Sequence, residues 1–494
     1  MTESPIKKTI SDSGIYFITL ALASLSAFIS VPIYTRLFNP SEYGYLSLAL
    51  VTISLLSVFA YGPISASIVR FLPKFDGKEN EKEFYTTSFI VTLLCTLAVS
   101  LFYCIGLLSL KAYINPNLFE LLAFGVLILI LTSFFSTFLA IFRIRQDSKQ
   151  YGLFTVLNRY LGLFTGLYFI IILSQGVMGV LLGTFVALIF LNIFIFAFYF
   201  KKKIKLNKNA VSTDIARKIM WYGTPLIASL LSQWILSVSD RYMIGFFRNS
   251  SAVGIYSMGY DIAYQSMGLL IVPFITALTP TIINVWEKNR DDAEFNLQKL
   301  SRYFLMLSLP ALIGFNSLSK PIISILTTPQ YYGGQLIFPF VTTGAFFMGL
   351  YLLSYTGLII HEKSRLIAKI ITISAILNIL LNLVLIPYYG FIGAGISTMI
   401  SYFVAFVIAD RTSSKYLKWR PVTKSVIRIF LASAMMGIIV YSISTLVAIS
   451  LLNLIVEILI GCIVYFLALY MLRGVEKEEI NEVKAMIRNM REKI

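Results

Sequence analysis

A polytopic all-α membrane protein of about fourteen transmembrane helices is the fold this sequence predicts, on three observations. First, hydrophobic residues make up 57% of the 494 and charged residues only 13%, with a mean hydropathy of +0.80. A soluble domain carries about 25% charged residues. Second, the apolar residues fall in runs of about 20 or more that do not alternate with period two, too long for barrel strands. Inside a bilayer every backbone N–H and C=O must be paired within the protein, so such runs are helices. Third, Lys and Arg alternate between rich and poor loops along the chain, as topology demands.

The spans fall at about 14–35, 45–69, 84–108, 118–142, 151–173, 178–200, 218–240, 252–281, 302–326, 334–360, 366–387, 391–410, 424–447 and 451–472. Residues 1–13 are short and polar, and a full-length span follows them rather than a signal region with a cleavage site. Pro310 and Pro321 interrupt the ninth span. Pro225 in the seventh and Pro273 in the eighth free backbone carbonyls and can bend those helices. An even number of spans puts both termini on one side. That side holds 35 of the 41 Lys and Arg; the other holds Arg36, Lys111, Arg241, Arg248 and Lys320, and Arg159 alone lies within a span. The basic side is therefore cytoplasmic, with both termini. The net charge of +17 belongs to these loops and calls for no nucleic-acid partner. The Lys201–Lys205 run faces anionic membrane lipids, and residues 473–494 read as an amphipathic cytoplasmic tail. Cys95, Cys104 and Cys462 sit in apolar runs as small core residues, and the single histidine, His361, argues against a His-based metal site.

The chain repeats itself. Gly176, Gly179 and Thr184 at the sixth span match Gly390, Gly393 and Thr398 at the twelfth, with an offset of 214. Arg36 followed by Tyr43-Gly44-Tyr45 matches Arg241 followed by Val253-Gly254-Ile255-Tyr256. Six spans separate the copies, so they share an orientation. Parallel repeats are a transporter signature with the substrate path between them. The expected organisation is an N-terminal six-helix lobe (1–200), a cytoplasmic linker (201–217), a C-terminal six-helix lobe (218–410) and two additional transmembrane helices (424–472). Outer loops are too short to fold as a catalytic domain, so no enzyme is expected and no catalytic or metal-binding residue is assigned.

Polar residues at membrane depth are the candidate site. Arg159, preceded by Asn158, lies about 12 Å into span five at 1.5 Å per residue. It reads either as a cavity cation for an anionic substrate or as an interfacial or paired residue. Asp261, Tyr264 and Gln265 share a helix face, with Tyr260 adjacent; they could bind sugar hydroxyls or a coupling cation, or Asp261 could partner an Arg. Asp240 and Arg241 suggest a helix-end ion pair or an outer gate, and Arg36 is the matching cation of the first lobe, or an interfacial anchor. Asn378 and Asn382 lie four apart on span eleven and suit either interhelical hydrogen bonding or sugar contact. Glu457 in span fourteen is a second coupling-ion candidate, or pairs with a neighbour.

The segments Pro32-Ile-Tyr-Thr-Arg36-Leu-Phe-Asn-Pro-Ser-Glu42-Tyr-Gly44, Tyr222-Gly223-Thr-Pro225-Leu, Asp240-Arg241-Tyr-Met-Ile-Gly245 and Val253-Gly254-Ile-Tyr256 resemble motifs of Wzx-type polysaccharide-biosynthesis flippases. These belong to the multidrug/oligosaccharidyl-lipid/polysaccharide (MOP) exporter superfamily. Asn378, Pro387, Gly390, Gly393 and Ala394 are similar to the pattern near that family's helices eleven and twelve, and the likeness runs over about 1–410. It implies a V-shaped two-lobe fold like that of the MATE branch, with a cationic central cavity. It implies alternating-access transfer of an undecaprenyl-diphosphate-linked oligosaccharide (for O-antigen, capsule or exopolysaccharide) from the inner to the outer leaflet of a bacterial cytoplasmic membrane. Polysaccharide polymerase and chain-length machinery would be partners; no cofactor is implied beyond coupling to an H+ or Na+ gradient. Span one lacks the mid-membrane Arg of the related lipid II flippases, which weighs against lipid II as cargo. A cation-coupled multidrug antiporter of the same superfamily is the nearest alternative, and a membrane polysaccharide polymerase or ligase a more distant one.

Overall fold

The computed structural model describes residues 5–75, 77, 80–201 and 211–475, and every regular element among them is helical. The chain runs through α1 (Pro5–Leu37), α2 (Pro40–Ala60), α3 (Gly62–Phe71), α4 (Glu81–Ser109), α5 (Pro116–Ile144), α6 (Ser148–Ile171) and α7 (Met178–Ile195). It continues through α8 (Thr213–Gly223), α9 (Leu226–Val238), α10 (Asp240–Phe247), α11 (Ser250–Trp286), α12 (Arg290–Ser317), α13 (Ser319–Leu326), α14 (Phe338–Ser354) and α15 (Thr356–Ile360). It closes with α16 (Ser364–Tyr389), α17 (Phe391–Ser413), α18 (Thr423–Leu446) and α19 (Leu451–Met471). Among the described residues eleven helices are long and apolar enough to cross a membrane, or twelve if α12 and α13, bent by 67°, form one span. The other two expected spans correspond to α8–α10 and to the 37-residue α11. The protein is an all-α multi-pass membrane protein. Most of the expected linker and tail, residues 202–210 and 476–494, lie outside the described residues, as does most of the Lys201–Lys205 run.

Local chemistry fixes many helix ends. The Asn39 side chain accepts from the Glu42 amide while the Glu42 carboxylate accepts from the Asn39 amide, a capping box with Pro40 in the first turn. Asn115, Asn289 and Ser450 cap α5, α12 and α19 in the same way, each accepting from a backbone N–H.

Three expected spans differ in the structure. Span seven is three short helices rather than one, because Pro225 cannot donate to the preceding turn and a new helix, α10, starts at Asp240. Span nine runs unbroken through Pro310 and turns instead at Leu318, just ahead of Pro321. Span two likewise divides at Tyr61, before Gly62-Pro63, into α2 and α3.

Contacts group the chain into two compact units, Met1–Gln265 with Ala368–Ser401 and Ser266–Ile367 with Tyr402–Ile494. This grouping cuts the chain at different places from the sequence repeat. In the first unit α6 and α7 approach so closely that a Cβ on Gly183 would overlap the backbone of Gly166, and the Thr165 hydroxyl donates to the Gly183 carbonyl at 2.9 Å. Small residues let membrane helices pack backbone to backbone where lipid supplies no hydrophobic drive between them. A cluster of Phe89, Phe138, Phe142, Phe154 and Phe200 fills one end of the same bundle, with ring centres 4.9–6.1 Å apart.

In the second unit the C-terminal pair α18 and α19 docks on α12. A Cβ on Gly437 would overlap Ile313, and the Ser317 hydroxyl donates to the Gly437 carbonyl at 3.2 Å. Pro310 has no N–H for the Met306 carbonyl; the Tyr465 hydroxyl of α19 donates to that carbonyl instead, at 2.8 Å. Midway along α12, Arg302 donates to the Ser425 hydroxyl and to the Gly474 carbonyl, each at 2.6 Å. Cys462 is exposed on α19 rather than in the core, on a helix whose outward face is otherwise Ile455, Leu459, Ile463 and Phe466. Such a face is solvated by lipid.

Candidate functional site

Within the first unit, α2 is stitched to α9, α10 and α11 by hydroxyl and indole contacts. Ser41 and Ser250 share a hydrogen bond of 2.6 Å, as do Ser47 and Ser257, and Thr52 and the Tyr242 hydroxyl. The Trp234 indole N–H donates to Ser54 at 2.9 Å. These positions extend over about 20 Å of α2 at 1.5 Å per residue. The first two pairs are separated by 209 and 210 residues, the offset of the repeat around Gly44 and Gly254. Those two glycines sit at the crossing itself. A Cβ on Gly44 would overlap the Ser250 carbonyl, and one on Gly254 would overlap the Pro40 carbonyl. Each half of the repeat thus presents the same glycine to the same place on the other helix.

Beside this crossing lies the ion cluster. Asp240 and Arg241, at the start of α10, have side chains only 2% and 4% accessible, whereas Asp261 on α11 is 43% accessible. The Arg241 guanidinium reaches Asp240 Oδ1 and Asp261 Oδ1, each at 3.3 Å, and donates to the Ser237 carbonyl. The Tyr256 hydroxyl donates to the other Asp240 oxygen, and the Tyr43 hydroxyl donates to Asp261. The guanidinium carbon also stands 4.6 Å from the centre of the Tyr260 ring and 5.7 Å from that of Tyr256, within cation–π range. A buried charge persists only when paired and hydrogen-bonded; Arg241 has both. Two carboxylates face one guanidinium, and the accessible one, Asp261, is the group able to meet a ligand hydroxyl or a cation. Tyr260 stacks on Tyr264 at 5.5 Å, and Gln265, one turn beyond Asp261, is half-buried.

The structure thus brings together Asp240, Arg241, Asp261, Tyr260 and Tyr264 from the sequence candidates. It adds Tyr43 and Tyr256, which stand in the sequence only as parts of the repeat and family motifs, and the two Ser–Ser pairs. Arg36 lies apart from them as a candidate: it is exposed and folds back to donate to the Pro32 carbonyl of its own helix at 2.6 Å. Asn378 and Asn382 are buried, with the Asn382 amide donating to the Asn378 side-chain oxygen at 3.0 Å. Arg159 is exposed on α6. At 100° per residue it lies about 120° or more around the helix from the exposed apolar stripe of Leu153, Phe164, Tyr168 and Ile171. The neighbouring Asn158 keeps a buried side-chain oxygen without a hydrogen-bond partner among the described residues. Glu457 lies in the second unit, buried on α19. No group of three His, Cys, Asp or Glu suited to a metal ion occurs among the described residues.

The profile of a family described as "Polysaccharide biosynthesis protein" matches residues 33–333. An uncharacterized membrane protein of Methanocaldococcus jannaschii is 24% identical over 509 residues, covering 97% of this chain and 98% of the relative. A probable low-salt glycan biosynthesis flippase of Haloferax volcanii is 22% identical over 269 residues, covering 53% of this chain and 56% of its own. Among solved structures, an inward closed conformation of the lipid II flippase MurJ superposes with a TM-score of 0.76 at 17% identity, over 93% of this chain and 98% of the other. An inward-facing MATE-family multidrug transporter of the MOP superfamily superposes with a TM-score of 0.64 at 16% identity, over 80% and 94%. At these identities the two superpositions establish a shared fold.

Proposed function

Because the chain belongs to the polysaccharide biosynthesis protein family, we propose that it is a flippase that moves a polyprenyl-diphosphate-linked oligosaccharide from the inner to the outer leaflet by alternating access. The observation that carries the mechanism is the reciprocal crossing of α2 and α11 at Gly44 and Gly254. It joins the two halves of the repeat where the charge alternation puts the outer side, as a closed outer gate would. The gate rests on short hydroxyl contacts and glycine packing, which separate without exposing an unpaired charge to lipid. The Arg241 cluster holds its shape beside it.

A diphosphate-sugar head group cannot enter hydrocarbon unaided, because its charge would be buried without partners. Arg159, turned away from the lipid stripe of α6, supplies a cation for the diphosphate, with Asn158 beside it as a candidate sugar contact. Asp261, Tyr264 and Gln265 offer further hydroxyl contacts, while Asn378 and Asn382 hold the packing of their helix. The six-helix lobes 1–200 and 218–410 would be the moving parts, and a cytoplasmic membrane with both termini inside is the proposed setting. Membrane lipids surround it, and a polysaccharide polymerase and chain-length machinery would receive its product. Transport breaks no bond, so the reading assigns no catalytic residue.

A second reading, a cation-coupled antiporter of small molecules, is favoured by one observation: Asp261 is an accessible carboxylate in a membrane helix, as an H+ or Na+ site needs. Deleting the gene separates the two. The flippase reading expects lipid-linked oligosaccharide to accumulate on the cytoplasmic face and surface glycan to fall. Unchanged lipid-linked intermediates, in a strain without a second flippase, overturn it.

A further inference from the structure

The second unit contains a pocket that the flippase reading does not use. It is a cavity of about 270 Å³ between α12, α13, α18 and α19, with Leu270 of α11 at its edge. Met306, Pro310, Phe315, Met436 and Val440 make its wall almost wholly apolar. Its mouth carries Leu307, Ile458 and Phe466, which are 42%, 45% and 64% exposed. These are lipid-solvated positions, so the pocket opens sideways into hydrocarbon.

One residue contradicts the apolar lining. Glu457 is 4% exposed, lines the pocket, and its Oε2 has no hydrogen-bond partner among the described residues. No basic residue on the surrounding helices forms an ion pair with Glu457 among the described residues. Arg302 of α12 is bound to Ser425 and Gly474, Arg428 of α18 donates to the Arg473 carbonyl, and Lys320 of α13 is exposed at its helix start. Tyr465, the one other strong hydrogen-bonding side chain of the lining, is committed to the Met306 carbonyl. A carboxylate in such a place is not needed for packing, since an apolar residue of similar volume would serve better. Ionised, it needs a positive partner, and no side chain among the described residues provides one.

We propose that this pocket binds a lipophilic organic monocation that enters from the lipid phase, with Glu457 as its counter-ion. Size agrees with this class. A dry apolar cavity of about 150 Å³ accepts benzene, so this one accommodates an aromatic ring together with a small quaternary ammonium. Apolar walls hold the body of the ligand and the single carboxylate selects for one positive charge. An acyl chain, the obvious competitor for a lipid-facing groove, would leave Glu457 unpaired.

The test is equilibrium binding of radiolabelled benzyltriethylammonium to the full-length protein in lipid nanodiscs, with empty nanodiscs as the blank. Saturable binding of one equivalent is expected, weakened at least tenfold in Glu457→Gln and not displaced by the neutral hydrocarbon in which carbon replaces the nitrogen. Ala311→Phe, which fills the pocket and keeps the carboxylate, should lose binding as well; Ala311 lines the wall. Monodisperse elution of each variant confirms its folding. Binding no greater than the blank, equal binding by Glu457→Gln, or equal displacement by the neutral isostere overturns the proposal; the last result would make the site an acyl-chain groove.

Discussion

Gly44 and Gly254 occupy reciprocal positions at one helix crossing: a side chain on either would strike the backbone carbonyl of the other helix, at Ser250 and Pro40 respectively. The offset of 210 that relates the glycines also relates Ser47 and Ser257, and Ser41 meets Ser250 one residue short of it. A contact built twice from the same residues of two repeats is what a symmetric gate between them requires.

Replacing Gly44 or Gly254 by Val should therefore force α2 and α11 apart and shift the conformational balance toward the outward-open state. The check is accessibility of a cysteine introduced at Tyr43 to a membrane-impermeant thiol reagent added outside. Labelling should rise at least severalfold, and the two single variants should behave alike.

The ion cluster yields a contrast between two substitutions. Arg241→Met leaves Asp240 buried and uncompensated, and breaking a buried pair in this way costs about 3–5 kcal/mol. Asp261→Asn leaves Arg241 paired with Asp240, so no buried charge is left uncompensated. Thermal melting in detergent should fall sharply for the first and little for the second. Transport should fall in both.

Arg159 separates charge from shape. Arg159→Ala should abolish export of the glycan at equal expression, and Arg159→Lys should keep part of it, since Lys meets phosphate as a point charge without the bidentate fork. Unchanged export in both would remove Arg159 from the substrate path.

The tie between Tyr465 and Met306 is open to a double-mutant cycle. Tyr465→Phe should cost about 1 kcal/mol, the net worth of one hydrogen bond. In a Pro310→Ala background the Met306 carbonyl regains a backbone donor, and the cost of Tyr465→Phe should drop. Denaturation midpoints of the four proteins give the coupling energy.

Much of this architecture was legible from residue order, for identifiable reasons. Hydropathy and charge alternation act over whole segments, so the spans emerge even where boundaries drift. Asp240, Arg241 and Asp261 stood out because ionisable residues are rare at membrane depth. Tyr43 and Tyr256 were visible only as repeat motif and the serines not at all, since a hydroxyl in an apolar helix carries no local sign of what it will meet 200 residues away. Pro310 misled for the same reason. Proline leaves the carbonyl four residues back without its helical donor, and here Tyr465 of α19 supplies one from far along the chain. The three-part span seven was half visible in Pro225, while the turn at Ser239 had no signal in composition. Cys462 looked like core because its helix is apolar all round, and lipid-facing and buried positions on such a helix share one composition.

The central claim is tested most directly by locking the gate. Ser41 and Ser250, whose hydroxyl oxygens are 2.6 Å apart, are replaced by cysteines in a background lacking Cys95, Cys104 and Cys462. The leaflet distribution of lipid-linked oligosaccharide is then measured in intact and everted membrane vesicles, before and after adding reductant. The account predicts that the oxidised protein traps the oligosaccharide in the inner leaflet and that reduction releases it to the outer one. Equal distributions in the oxidised and reduced states, with the disulfide confirmed by mobility, would contradict it.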